Sequence, residues 1–137
     1  MKRKFFIVFL FFLLGVATFY FLSLRTIDTL PDKSKVENMS IQIAEKEVRT
    51  KDSKMIEEIL YDMKSARKTM KSSNNDQPLV QPYITLIFKN FDGNSDTFYF
   101  YEMKGKYYIE KPYAGIYKSD QNVEENIQSY FNFLNSH

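Results

Sequence analysis

The sequence predicts an α+β domain behind an N-terminal transmembrane helix, and three observations carry that reading. A charge-free apolar run opens the chain at Phe5 to Leu24. Two later stretches hold apolar residues at helical spacing, and three consecutive segments alternate apolar and polar side chains between turn residues. Together they describe a small ββαβββα domain with an antiparallel sheet and its helices packed on one face. The expected organisation is an anchor over 1–24, a stalk over 25–35 and an extracytoplasmic domain over 36–137.

The anchor rests on length and charge. MKRK leads directly into FFIVFLFFLLGVATFYFLSL. At about 1.5 Å per residue this run reaches about 30 Å, the thickness of a hydrocarbon core. A cleaved secretory signal is the alternative, with an apolar core of roughly 7–15 residues and a small-x-small cleavage site. Here the run ends in the bulky Phe19, Tyr20, Phe21 and Leu22, and the small pairing nearby is Gly15 with Ala17, so the reading is an uncleaved signal anchor. Lys2, Arg3 and Lys4 hold the N-terminus in the cytoplasm and leave the rest outside. Signal cleavage would instead give a secreted protein.

Charge then narrows the partners. The chain has 19 Lys plus Arg against 17 Asp plus Glu, and setting aside Lys2, Arg3 and Lys4 leaves 16 cations against those 17. The outer part is therefore near neutral, and nucleic acid, which is held by clustered cations on phosphates, is not an expected partner. No cysteine is present, so neither a lipidated N-terminal cysteine nor a disulfide is available. The domain has to hold by packing.

Arg25 to Lys35 mixes charge, Thr, Ser and one Pro without an apolar period, which reads as the stalk. Met39, Ile41 and Ile43 alternate with polar neighbours as a half-buried strand, and a polar turn near Glu45 and Lys46 returns through Val48 as a second, short one. Asp52 and Ser53 are N-cap residues for a helix whose stripe is Met55, Ile56, Ile59, Leu60, Met63 and Ala66, with Arg67, Lys68 and Lys71 toward its negative end. SSNNDQP at 72–78 is a loop by composition, and Pro82 leads into a strand over Tyr83 to Lys89.

Asp92-Gly93 and Lys104-Gly105 are turn dipeptides that separate this strand from Thr97 to Met103 and from Lys106 to Glu110, giving an antiparallel meander. Parity puts Ile84, Leu86, Phe88, Phe98, Phe100, Tyr107 and Ile109 on the core face. Tyr83, Thr85, Ile87, Tyr99, Tyr101, Met103, Tyr108 and Glu110 fall on the other. Lys111-Pro112 ends the meander, and Gly115 supplies positive φ for a turn around Ala114-Gly115. Ser119 or Asp120 opens a last helix with the stripe Val123, Ile127, Tyr130, Phe131 and Leu134.

Catalytic chemistry finds little support. The one histidine is the terminal His137, so triads and histidine metal sites lack their central residue. Asp92, Asn94 and Asp96 imitate a calcium loop, but the glycine is misplaced and Met103 stands where the bidentate acid belongs; a turn is the simpler reading. Glu124 and Glu125 suit the start of a helix. The expectation is a protein that is not an enzyme and uses no cofactor or metal.

The runs SARKTMKSSNNDQPLVQPYITLIF and TFYFYEMKGKYYIEKPYAGIY resemble a family of small anchored or secreted proteins of Bacillus-type Gram-positive bacteria, catalogued as a domain of unknown function. The resemblance covers roughly residues 36–135. Asn75, Asp76, Pro78 and Tyr107 to Tyr117 are its most specific parts. It implies an extracytoplasmic location and supplies no catalytic residue.

The functional expectation is a binding or sensory module, the alternative a structural or regulatory partner subunit of a membrane protein complex. Candidate binding residues are Tyr99, Tyr101 and Tyr108 on the tyrosine face with Tyr113 and Tyr117 on the following loop. Beyond the membrane itself, contacted through residues 5–24, the expected partner is a membrane protein or a cell-wall component. The competing reading of the loop turns Tyr113 and Ile116 inward to plug the core.

Overall fold

The computed structural model describes residues 1–23, 26–27 and 29–137, with the side chains of Leu22 and Ser23 left aside. Leu24, the last residue of the predicted span, and Arg25, the first of the predicted stalk, lie outside the described residues. Helix α1, Lys2–Ser23, is the apolar run. It is long and apolar enough to span a membrane or to be a signal sequence, and over Lys2–Phe21 none of it is buried within the protein.

The remainder is a mixed α+β fold built on one seven-stranded antiparallel sheet of order β2-β1-β4-β5-β6-β7-β3. In chain order its elements are β1 Val36–Ile43, β2 Lys46–Thr50, α2 Ser53–Met63, β3 Arg67–Lys68, β4 Ile84–Asn90, β5 Ser95–Met103, β6 Lys106–Lys111, β7 Gly115–Ser119 and α3 Gln121–Asn135. The expected ββαβββα order thus lacks two strands, β3 and β7. Arg67 and Lys68 do not extend the helix; α2 stops at Met63 and the two residues pair with Lys118 and Tyr117 of β7.

Local chemistry explains the elements that were expected. Asp52 Oδ1 accepts from the backbone N–H of Lys54 at 3.0 Å and of Met55 at 3.3 Å, capping α2; Met55, Ile56, Ile59, Leu60 and Met63 of the predicted stripe are buried along it, whereas Ala66, also buried, lies past its end. Lys104 at φ 53° and Gly105 at φ 76° form the tight β5–β6 hairpin turn, where two successive positive φ values match the strand twist. The β1–β2 turn falls one residue earlier than expected, at Ala44-Glu45, with Ala44 at φ 55°.

Register bears out the parity assignment for the aliphatic and Phe positions: Ile84 faces Phe100, Leu86 faces Phe98, and Phe100 faces Ile109. Tyr107, paired with the polar Glu102 and Ser119, is only half-buried and stays outside the core. The aliphatic and Phe side chains form one core with Met39 and Ile41 of β1, the α2 stripe, and Val123, Ile127 and Phe131 of α3. The predicted stalk is joined to this core at its described residues. Thr26 bridges Arg67, Ile27 is 5% exposed among the core side chains, and Leu30 packs against them. Two apolar residues were too few to show a period, and their burial depends on partners far along the chain.

Candidate functional site

The tyrosine face of the sheet is not bare. Between β3 and β4 the chain runs without regular structure from Thr69 to Tyr83 and crosses that face as a strap. Its start is tied to β7 by Thr69, whose N–H and Oγ1 both donate to the Ile116 carbonyl at 2.9 and 2.7 Å. Val80 and Tyr83 then pack on Tyr101, Tyr108 and Ile116, making a second apolar cluster separate from the main core.

A polar clasp holds the strap down. Glu110 is 6% exposed, and its two carboxylate oxygens accept from Ser73 Oγ at 2.6 Å and from the Tyr101 hydroxyl at 3.0 Å. A buried carboxylate is costly unless its oxygens are hydrogen-bonded, and here each oxygen accepts from one hydroxyl, one from the strap and one from the sheet. Burial, with Glu110 alongside, pushes the Tyr101 phenol above its usual range, which favours the protonated donor. Lys71 adds a cation 5.0 Å from the centre of the Tyr108 ring.

The second clasp comes from the β6–β7 hairpin. Ala114 N–H donates to the Lys111 carbonyl at 3.0 Å, closing a turn with Pro112 and then Tyr113, which has φ 60°. That is type II geometry, in which the third position belongs by sterics to Gly or Asn. Tyr113 occupies it all the same, 68% exposed, and its hydroxyl donates to Asp76 of the strap at 2.7 Å. This bond to a carboxylate holds the Tyr113 phenol above its ordinary range. Positive φ was expected at Gly115; that residue instead begins β7 in extended conformation.

The five tyrosines singled out from sequence therefore do not form one surface. Tyr99, Tyr101 and Tyr108 are buried, the last two beneath the strap. Tyr117, 2% exposed, lies on the opposite face within the main core, because β7 pairs it with Ile109. The inward plug expected of Tyr113 and Ile116 is half realised: Ile116 is buried on the strap side and Tyr113 points outward.

Where the strap enters β4, a cleft of about 620 Å³ opens. Gln77 and Gln81 of the strap form one rim, Gln42 of β1 another, and Tyr83 and Tyr99 lie between with ring centres 5.1 Å apart, edge to face. Burial raises the Tyr99 phenol pKa, leaving a neutral hydroxyl there. Glu124 and Gln128 of α3 complete the lining. The Glu124 carboxyl is raised above its ordinary range, first by burial and then by Glu102, and its Oε2 has no hydrogen-bond partner. Sequence reasoning passed over the glutamines and treated Glu124 as a helix-start acid. The available signal was angular, since Glu124 lies about 100° around the helix from Val123, at the margin of the buried stripe.

Residues 25–118 match the family DUF5301, described as a domain of unknown function (DUF5300). The chain belongs to that family. An NMR structure of a protein from Ruminococcus gnavus has a similar fold, with a TM-score of 0.59 and 33% identity over 69% of this chain and 95% of that one. Comparison with curated proteins found no match. The DUF5301 match begins ahead of the strand expected to open the domain, in keeping with the burial of Ile27 in the core.

Proposed function

We propose that this DUF5301 chain is a non-enzymatic binding module, anchored by α1 and displayed on the outer face of a Gram-positive cytoplasmic membrane, whose ligand occupies the cleft at the entry to β4. The observation that carries the reading is a convergence of amides. Gln42, Gln77 and Gln81 line the cleft, and among the described residues none of their side chains has a protein partner. A carboxamide offers donors and acceptors together, which suits vicinal hydroxyls. Tyr83 and Tyr99 add apolar surface with polar tips. Cations are lacking in this lining, so an uncharged saccharide of a wall polymer fits better than a phosphorylated or acidic ligand.

Titration of the isotopically labelled full chain in detergent micelles with short neutral oligosaccharides tests this reading. Amide and side-chain shifts should move at Gln42, Gln81, Tyr83 and Tyr99, and Gln81→Ala with Tyr99→Phe should weaken them. Shifts seen instead with short neutral peptides would change the ligand class; no shift with either would remove the cleft as a binding site. Protease added to intact protoplasts tests the topology, since digestion of the domain is expected and protection contradicts it.

A second reading, a partner subunit of a membrane complex, draws on Ile87 and Thr85, half-exposed beside the cleft, and on Leu79, 87% exposed on the strap. A stoichiometric protein recovered with the tagged chain from solubilised membranes would favour it.

A further inference from the structure

Folding gathers cations that are scattered along the sequence. Register runs a single cross-strand row through Tyr101, Tyr108, Lys118 and Arg67, so these four side chains share the strap face of the sheet. Lys71, on the strap, has its ammonium over Tyr108 in the same row. Arg67 and Lys118 stand directly opposite each other across the β3–β7 pair. Among the described residues Lys71 and Lys118 form no ion pair. Beside them Met70 is 86% exposed, an apolar side chain on a basic surface.

The row ends at the membrane helix. Thr26 bridges Arg67, and α1 finishes at Ser23. Three residues of chain reach at most about 10 Å, so Arg67 and Lys118 are held at the depth of the headgroup layer where the helix emerges. The opposite sheet edge, β2, is six strand positions away.

We infer that the Arg67–Lys118–Lys71 row, with Met70, is a membrane-facing surface that binds anionic phospholipid headgroups and fixes how the domain lies on the bilayer. This rests on the anchoring of α1. Short tethering makes the encounter intramolecular, so a few weak phosphate contacts suffice. Lys and Arg place their charges among phosphates while their stems and Met70 lie along the apolar boundary. With this edge down, the β2 end of the domain points away from the lipid.

The chain contains no cysteine, so single labels are clean. The full chain carrying Met70→Cys with an environment-sensitive dye is reconstituted into vesicles of phosphatidylcholine, with or without phosphatidylglycerol, containing headgroup spin-labelled lipid. Quenching should be several-fold stronger with phosphatidylglycerol. It should fall to the neutral-lipid level in high salt and in the variant combining Arg67→Gln, Lys71→Gln and Lys118→Gln. A label at Glu45→Cys, in the β1–β2 turn, should stay unquenched throughout. Equal quenching in the two vesicles, or no response to salt, overturns the surface and leaves the anchor standing. Failure of the wild-type chain to float with either vesicle overturns both. The salt comparison uses the unsubstituted basic row, so it decides the matter even where the triple variant misfolds.

Discussion

The two faces of the sheet are buried by different means. On one, α2 and α3 lay continuous apolar stripes over Phe88, Phe98, Ile109 and their neighbours, and the contact is hydrophobic throughout. On the other, a strap without regular structure covers Tyr101, Tyr108 and Ile116 and is held by hydroxyl–carboxylate bonds at Glu110 and Asp76. The first arrangement is cooperative, since no part of a close-packed layer lifts without exposing the rest. The second depends on a few polar contacts that open together, so it can loosen while the core stays intact. A cleft whose rim includes Gln77 and Gln81 of that strap acquires an adjustable wall.

Substitutions separate the two faces, and the largest effect is expected on the helix side. Phe98→Ala, at a position with 0% exposure, should cost about 3–5 kcal/mol in global unfolding, measured by denaturant titration of the full chain in micelles. Glu110→Ala leaves Ser73 and Tyr101 hydroxyls buried without an acceptor, at roughly 1–3 kcal/mol. Its loss should show first as protease cleavage within residues 69–83, before global unfolding. Equal sensitivity of strap and core to Glu110→Ala would mean that the faces are not separable.

Tyr113 gives a smaller effect with a reversed order. At φ 60° an L side chain is strained, so Tyr113→Gly should melt a few degrees above Tyr113→Ala, although glycine is ordinarily the more destabilising replacement. Both variants lose the Asp76 bond and should cleave faster in the strap. The opposite melting order would contradict the turn geometry.

The smallest effect is at Glu124, and it depends on pH. Burial raises its carboxyl pKa in the folded chain, so the folded state binds more protons than the unfolded one and stability falls as pH rises through the window above the ordinary value of 4.5. Glu124→Gln should therefore raise the melting temperature by about 1–2 °C near pH 7, a gain that shrinks on acidification and vanishes below the unfolded pKa. A gain that is constant with pH would place the effect elsewhere.

The legibility of each face in the sequence follows from the same difference. Helix α2, helix α3 and the core side of the three central strands carry apolar residues at a fixed period, which is why Met55 to Met63 and the parity of β4 to β6 were readable. Strand β3 has two exposed residues, Arg67 and Lys68, too few to show any period. Strand β7 was hidden because Pro112 and Gly115 both read as turn residues, whereas the turn is completed at Tyr113; placing Tyr117 in the core required that strand. The composition of the tyrosine face was apparent, but not its cover, because Ser73 and Glu110 are 37 residues apart and no local pattern links them.

Hydrogen exchange under native conditions, read by mass spectrometry on the full chain in micelles, tests the separation of the two faces most directly. Amides of residues 69–83 should exchange through a local opening insensitive to low denaturant, well ahead of those in β5 and α2, and Glu110→Ala should accelerate the strap while leaving β5 unchanged. Exchange of strap and core at one common free energy, shifting together in the variant, would contradict the account.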